Sequence, residues 1–204
     1  MPTIVPHRRH LLAAAAILAA APAWAQPAAR TRVRLETDKG VIVAELADDK
    51  APITVANFLH YVDTRHFDGA AFYRAARAPG APTIGLIEGG VRDSRKLYPP
   101  IAHESTTQTG LHHLDGTLSM GRFAPGTATS DFSICCGDAP YLDAHPEAPG
   151  DNLGYAAFGQ VVDGMDVARA ILAMPTGDSP DSPAMAGQML VPPVKILTAR
   201  RVTA

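Results

Sequence analysis

The chain has 204 residues, 47% hydrophobic and 19% charged, a length that suits one domain with a short appendage. A formal net charge of −2 at pH 7 gives neither nucleic acid nor an anionic membrane an electrostatic reason to bind. The only two cysteines, Cys135 and Cys136, are adjacent, which fits neither an unstrained disulfide nor a zinc site. Residues 1–25 read as a secretory signal peptide: His7-Arg8-Arg9-His10 is basic, Leu11 to Ala21 is apolar, and Ala23-Trp24-Ala25 is a small-x-small cleavage site. The apolar run is too short and too alanine-rich for a bilayer anchor. The mature protein is therefore expected in the periplasm or outside the cell, with no membrane attachment. Arg8-Arg9 before Leu11-Leu12 also fits twin-arginine export, with His7 where Ser or Thr is usual. Cleavage removes two arginines and leaves 16 basic against 20 acidic side chains, a net charge of −4.

After a short linker, 26–30, one domain is expected over 31–204. Val33 to Thr37 and Val41 to Leu46 alternate apolar and polar residues around Asp38-Lys39-Gly40, which predicts a hairpin. Pro52 opens a helix, where its missing N–H costs nothing, and Val55, Phe58, Leu59 and Val62 share one face of it. Phe67-Asp68-Gly69 turns the chain into a strand at Ala70 to Ala76, and Arg77 to Pro82 is a Pro/Gly-rich stretch. The polar, poorly periodic residues 91–113 read as loops. Thr117 to Arg122, Phe132 to Cys136 and Tyr155 to Val162 read as strands, with one cysteine inward and the other outward. Met165 to Met174 is a second helix, Met174 to Leu190 a loop, and Val194 to Val202 a closing strand. Many short strands and two helices predict a mainly β, closed antiparallel barrel.

Five stretches carry a resemblance: Phe72-Tyr73-Arg74, Ile87-Glu88-Gly89-Gly90, Leu118-Ser119-Met120, Ser130-Asp131-Phe132-Ser133-Ile134 and Ala157-Phe158-Gly159. In this order, and with twelve residues from Met120 to Phe132, they resemble the landmarks of the cyclophilin-type peptidyl-prolyl cis-trans isomerases. Thr54 and Asn57 also sit where that family's first helix places them. The resemblance implies an eight-stranded barrel capped by two helices, and a monomer acting without a cofactor or metal on proline-containing polypeptides. It also marks Arg77 to Pro82 as an insertion.

Amide rotation is opposed by about 18–20 kcal/mol because nitrogen donates its lone pair into the carbonyl. Only Xaa-Pro bonds populate cis appreciably, and they interconvert slowly. Such a reaction needs no nucleophile and no base. It needs a pocket for the ring, donors for the flanking backbone, and a cation to bond the prolyl nitrogen as it becomes pyramidal. The resemblance gives that last role to Arg74. It places Phe72, Leu86, Glu88, Met120, Gly121, Asp131, Ser133 and Tyr155 at substrate-binding positions. Several depart from the family pattern. Tyr73 replaces a histidine, Glu88 and Asp131 replace glutamines, and Gly121 replaces an alanine. Gly85 and Ser133 stand where pocket aromatics are usual, and Tyr155 stands for a histidine. Trp24 leaves with the signal, so Leu153 is the apolar residue nearest the tryptophan position, and Phe123 is a candidate substitute aromatic. Glu88 is expected to form a bidentate pair with Arg74.

His103-Glu104 with His112-His113 fits no helical metal-ligand spacing and reads as hydrogen-bonded loop residues. Ser119 and Ser133 lack the glycine context of a nucleophile elbow. Arg74 favours an exported isomerase acting on folding polypeptides. Gly85, Asp131 and Ser133 favour the alternative, a non-catalytic peptide-binding module or chaperone on the same scaffold. A hollow ligand-binding barrel is disfavoured by inward phenylalanines that fill space.

Overall fold

A computed structural model describes residues 30–178 and 183–202. The expected signal peptide, and the expected linker apart from Arg30, lie outside them. Strands β1 (Arg32–Thr37) and β2 (Gly40–Leu46) form the expected hairpin, with Val33, Leu35, Ile42, Ala44 and Leu46 buried on alternating positions. Helix α1 (Pro52–Asp63) follows, with proline in its first turn. Strands β3 (Ala71–Ala78) and β4 (Ala81–Gly90) come next, then a four-residue helix α2 (Thr106–Thr109). Strands β5 (Thr117–Met120), β6 (Phe132–Cys136) and β7 (Ala156–Asp163) precede helix α3 (Met165–Leu172), and β8 (Thr176–Gly177) and β9 (Met189–Val202) complete the chain.

The strands pair antiparallel in the order β1-β2-β7-β5-β6-β4-β3-β9, and β9 returns to β1, so eight strands close the expected barrel. Closure leaves the ring without an unpaired edge. Its interior is solid. Phe58 lies 5.1–5.2 Å from Phe67, Phe132 and Phe158, ring centre to ring centre, and Phe72 lies 5.6 Å from Phe132. The tilted and edge-on geometries are those that aromatic quadrupoles favour.

The structure corrects the sequence reading in four places. The stretch around Arg77 to Pro82 is a strand extension: β3 and β4 run on as a hairpin closed at Ala78 and Ala81. Gly85 there has φ +155°, and a Cβ would lie 2.0 Å from the Ala76 carbonyl, so the family's bulky residue does not fit this backbone. The 91–113 region contains α2, closed by Gly110 in the left-handed region, and the 174–190 region contains β8, paired to β9. The α-helices therefore number three among the described residues, and the strands nine. Lastly, both cysteines are buried. Cys136 faces the barrel core, while Cys135 faces outward into a second cluster with Leu86, Ala139 and Leu142. The turn Pro140–Leu142 roofs that cluster, which is why the outward position is dry. Burial pushes the Cys135 and Cys136 thiols up to about 12 and about 11, which keeps them as unreactive thiols.

Candidate active site on the outer face of the barrel

The site is built on one rung of the sheet. Arg74 faces Glu88, Glu88 faces Ser133, Ser133 faces Ser119, and Ser119 faces Ala157 across β3, β4, β6, β5 and β7. Facing residues on paired strands share a side of the sheet. Here it is the outer side, because Ile87, Leu118, Phe132 and Ile134 alternate into the core. Strand β3 reaches this arrangement through a bulge. Phe72 pairs with Gly89 and Arg74 with Glu88, so two steps on β3 match one on β4. A bulge shifts the in-out alternation by one residue. Phe72 thus points into the core, while Tyr73 and Arg74 both border the outer cavity.

That cavity has a volume of about 620 Å³. Arg74 lies in its wall with a side chain 23% exposed. Its Nη1 donates to Glu88 Oε2 at 2.7 Å and its Nε donates to Gln188 Oε1 at 2.8 Å. The expected bidentate pair is therefore one-armed: a single guanidinium nitrogen meets Glu88, and Nε is held separately by Gln188. A guanidinium has five N–H donors, so three remain without a bond among the described residues. Leu86, Tyr155, Leu142 and Tyr141 supply an apolar wall, and Met185 and Met189 another.

Beside this lies an acidic corner. Asp131 packs its Oδ1 against Gly90, where a Cβ would come within 2.0 Å, and that oxygen is buried without a hydrogen-bond partner among the described residues. Burial and the Glu88 charge push the Asp131 carboxyl up to about 6, against the Arg92 charge and the Tyr73 hydroxyl. Burial, with Glu88 and Asp131 nearby, also raises the Tyr73 phenol, so it stays protonated. The Arg92 guanidinium covers the Tyr73 ring at 4.4 Å. Gly121 leaves little room beside both residues: a Cβ there would lie 3.1 Å from Asp131 Cβ and 3.2 Å from Glu88 Oε1.

Of the residues singled out in the sequence, Arg74, Leu86, Glu88, Gly121, Asp131, Ser133 and Tyr155 border one cavity. Phe72 and Met120 do not; at 0% and 2% exposure they belong to the barrel core beneath it. Phe123 stands at the rim, 91% exposed, and so covers nothing in this structure. Leu153 is exposed and does not border the cavity. Sequence reasoning missed Gln188, Met185, Met189, Tyr141 and Arg92. Arg92 alone had a signal, as a cation just past Gly89-Gly90.

The histidines behave as hydrogen-bonded residues, and no group of metal-ligating side chains occurs among the described residues. Glu104 caps α1: its two oxygens accept from the Ile53 and Thr54 amides at 3.1 and 2.8 Å, and from the Thr54 hydroxyl at 2.7 Å. His113 is buried in a relay, 2.6 Å from Asp143 Oδ1 at Nδ1 and 2.8 Å from Ser119 Oγ at Nε2. Burial lowers the His113 pKa despite Asp143. Burial opposes charge on Asp143, but bonds from both histidines and the His113 amide outweigh it and hold the carboxyl below its ordinary value. His113 is thus neutral, with Nδ1–H donating to Asp143 and Nε2 accepting from Ser119. Ser119 is only 1% exposed, so the relay braces the cavity floor and presents no open nucleophile.

Comparison with known proteins agrees with this geometry. The family model described as cyclophilin type peptidyl-prolyl cis-trans isomerase matches residues 32–200. Peptidyl-prolyl cis-trans isomerase A of Dickeya dadantii is 38% identical over 151 residues, covering 72% of this chain and 73% of the relative. Peptidyl-prolyl cis-trans isomerase B of Escherichia coli is 36% identical over 148 residues, covering 72% and 87%. The fold also matches the crystal structure of a Cryptosporidium parvum cyclophilin type isomerase, with TM-score 0.67, 19% identity, and 86% and 99% coverage. A barrel with this strand order, a cavity on its outer face and matches spanning 32–200 establish that the chain belongs to the cyclophilin-type peptidyl-prolyl cis-trans isomerases.

Proposed function

We propose that this enzyme isomerises Xaa-Pro bonds of exported polypeptides during folding, as a monomer, with Arg74 assisting bond rotation. The observation that carries the reading is the state of the Arg74 guanidinium. It is oriented by two bonds in a cavity wall and keeps three N–H donors without a partner among the described residues. As a bound Xaa-Pro amide twists, its nitrogen becomes pyramidal and its lone pair turns into an acceptor. A donor held at that position stabilises the twisted state more than the planar one, which is the requirement for acceleration. Leu86, Tyr155, Met185 and Met189 offer apolar surface for the ring, so the protein holds the substrate and forms no covalent bond to it.

Arg74→Ala removes a charge-assisted hydrogen bond worth about 1.5–3 kcal/mol, equivalent to a fall of about 10- to 100-fold in kcat/KM. The check is a protease-free isomerisation assay on a proline peptide, with circular dichroism to establish folding. A second reading, a peptide-binding module without catalysis, draws on Ser133, which leaves the cavity wall without an aromatic at that position. Peptide binding by wild type with no acceleration of isomerisation selects it. For export, the expected mature protein begins at Gln26, and the intact mass of the extracytoplasmic fraction checks this. A mass that retains residues 1–25 excludes signal cleavage.

A further inference from the structure

We propose that Gln188 is a positioning residue for Arg74, and that it sets which face of the guanidinium meets the substrate. The inference rests on the reading of Arg74 given above and extends it to a segment distant in sequence. Gln188 lies 114 positions after Arg74, yet its Oε1 accepts from Arg74 Nε at 2.8 Å. An arginine Nε–H only donates, so the atom facing it is the carbonyl oxygen of the amide, and the side-chain orientation is settled by chemistry.

The residue is delivered there by backbone bonds on both sides. The Gln188 carbonyl accepts from the Ala75 amide at 2.8 Å, and its own amide donates to the Met185 carbonyl at 3.0 Å. The Gly187 amide donates to Asp178 Oδ1 at 2.8 Å, and Met189 pairs with both Arg74 and Gly177. The chain around Gln188 is therefore fastened to β3 immediately beside the arginine. The β3 bulge lies at the same place, between Phe72 and Arg74.

The two holds on the guanidinium have different consequences. A single bond at Nη1 leaves the planar group free to swing about that contact. A second bond at Nε fixes the plane. Glu88 supplies one hold at the expense of part of the cationic field, because it is a carboxylate. Gln188 supplies the other with a neutral acceptor, so this second hold takes nothing further from the cationic field. Without Gln188, Glu88 alone holds the group at Nη1, and the guanidinium turns about that contact, so its remaining donors no longer keep one direction in the cavity.

The test compares Gln188→Leu, which keeps bulk and loses the acceptor, with Gln188→Glu, which restores an acceptor oxygen. Gln188→Leu is expected to lower kcat about tenfold, with KM for a proline peptide within about twofold, the signature of lost orientation. Gln188→Glu is expected to recover part of that loss. In an Arg74→Ala background, Gln188→Leu is expected to cause no further loss. A Gln188→Leu enzyme with wild-type kcat, or one altered only in KM, overturns the inference while leaving the role of Arg74 intact. An equal kcat loss in the Arg74→Ala background also overturns it, because Gln188 then acts without the arginine. If Arg74→Ala itself is fully active, the reading of Arg74 fails first, and the positioning role fails with it.

Discussion

Glu88 is the residue at which this site departs most from a neutral design. Its carboxylate takes one Arg74 donor at 2.7 Å. On the proposed role of Arg74, that competition is expected to cost on the order of 1 kcal/mol at the transition state of this partly desolvated cavity, about fivefold in rate. Glu88→Gln keeps a carbonyl acceptor at the same place and removes the charge. The expected result is a severalfold rise in kcat/KM, measured on the same peptide as wild type. A slower Glu88→Gln enzyme means that the charged hold positions Arg74 better than it dampens it. The meeting of Arg74 and Glu88 in one cavity was legible in the sequence, because each sits within a short ordered landmark. Gln188 was not: it lies in a stretch without periodicity, and its one contact of consequence spans 114 residues. The relay of His113 was hidden for the same reason, since Asp143 meets it only through folding.

The elements were legible to the extent that one face of each is apolar. The β1–β2 hairpin, α1 and the core strands follow from alternation or helical spacing. The outward burial of Cys135 did not follow, because a roof made by a separate turn, Pro140–Leu142, decides it. Capping shows the same limit. Ala51 precedes α1 and makes no side-chain cap; the acceptor arrives instead as Glu104, from about fifty positions on. Glu104 is 9% exposed, so its loss leaves amide donors of the first turn poorly satisfied. Glu104→Ala is therefore expected to lower stability by about 2–3 kcal/mol. Thermal unfolding should show a Tm reduced by about 4–12 °C, and Glu104→Gln a smaller fall. A Tm within a degree of wild type for Glu104→Ala means that water caps the helix equally well.

At the scale of the whole molecule, two buried titratable groups tilt stability in opposite directions over acidic pH. His113 is held neutral with its pKa below the ordinary 6.5. Its contribution is complete above about pH 6.5 and is lost as pH falls through the native value, because the unfolded chain takes up the proton first. Asp131 works the other way. Its carboxyl rises from 3.8 to about 6, so its contribution is complete below pH 3.8 and lost as pH rises to about 6. A shift of that size corresponds to up to about 3 kcal/mol above pH 6, and relaxation around the buried oxygen makes the realised value smaller. Asp131→Asn keeps the shape against Gly90 and abolishes this titration. Its Tm is expected to exceed that of wild type by several degrees at pH 8 and to match it near pH 3.5. Up to about pH 6.5 the variant should gain stability with pH, because the His113 slope then acts unopposed by Asp131; above that the His113 contribution is complete and the gain levels off. Thermal unfolding of both proteins from pH 3.5 to 8 measures this. An Asp131→Asn difference that stays constant across the range means that the side chain contributes through packing on Gly90, and that its charge carries no cost in the fold.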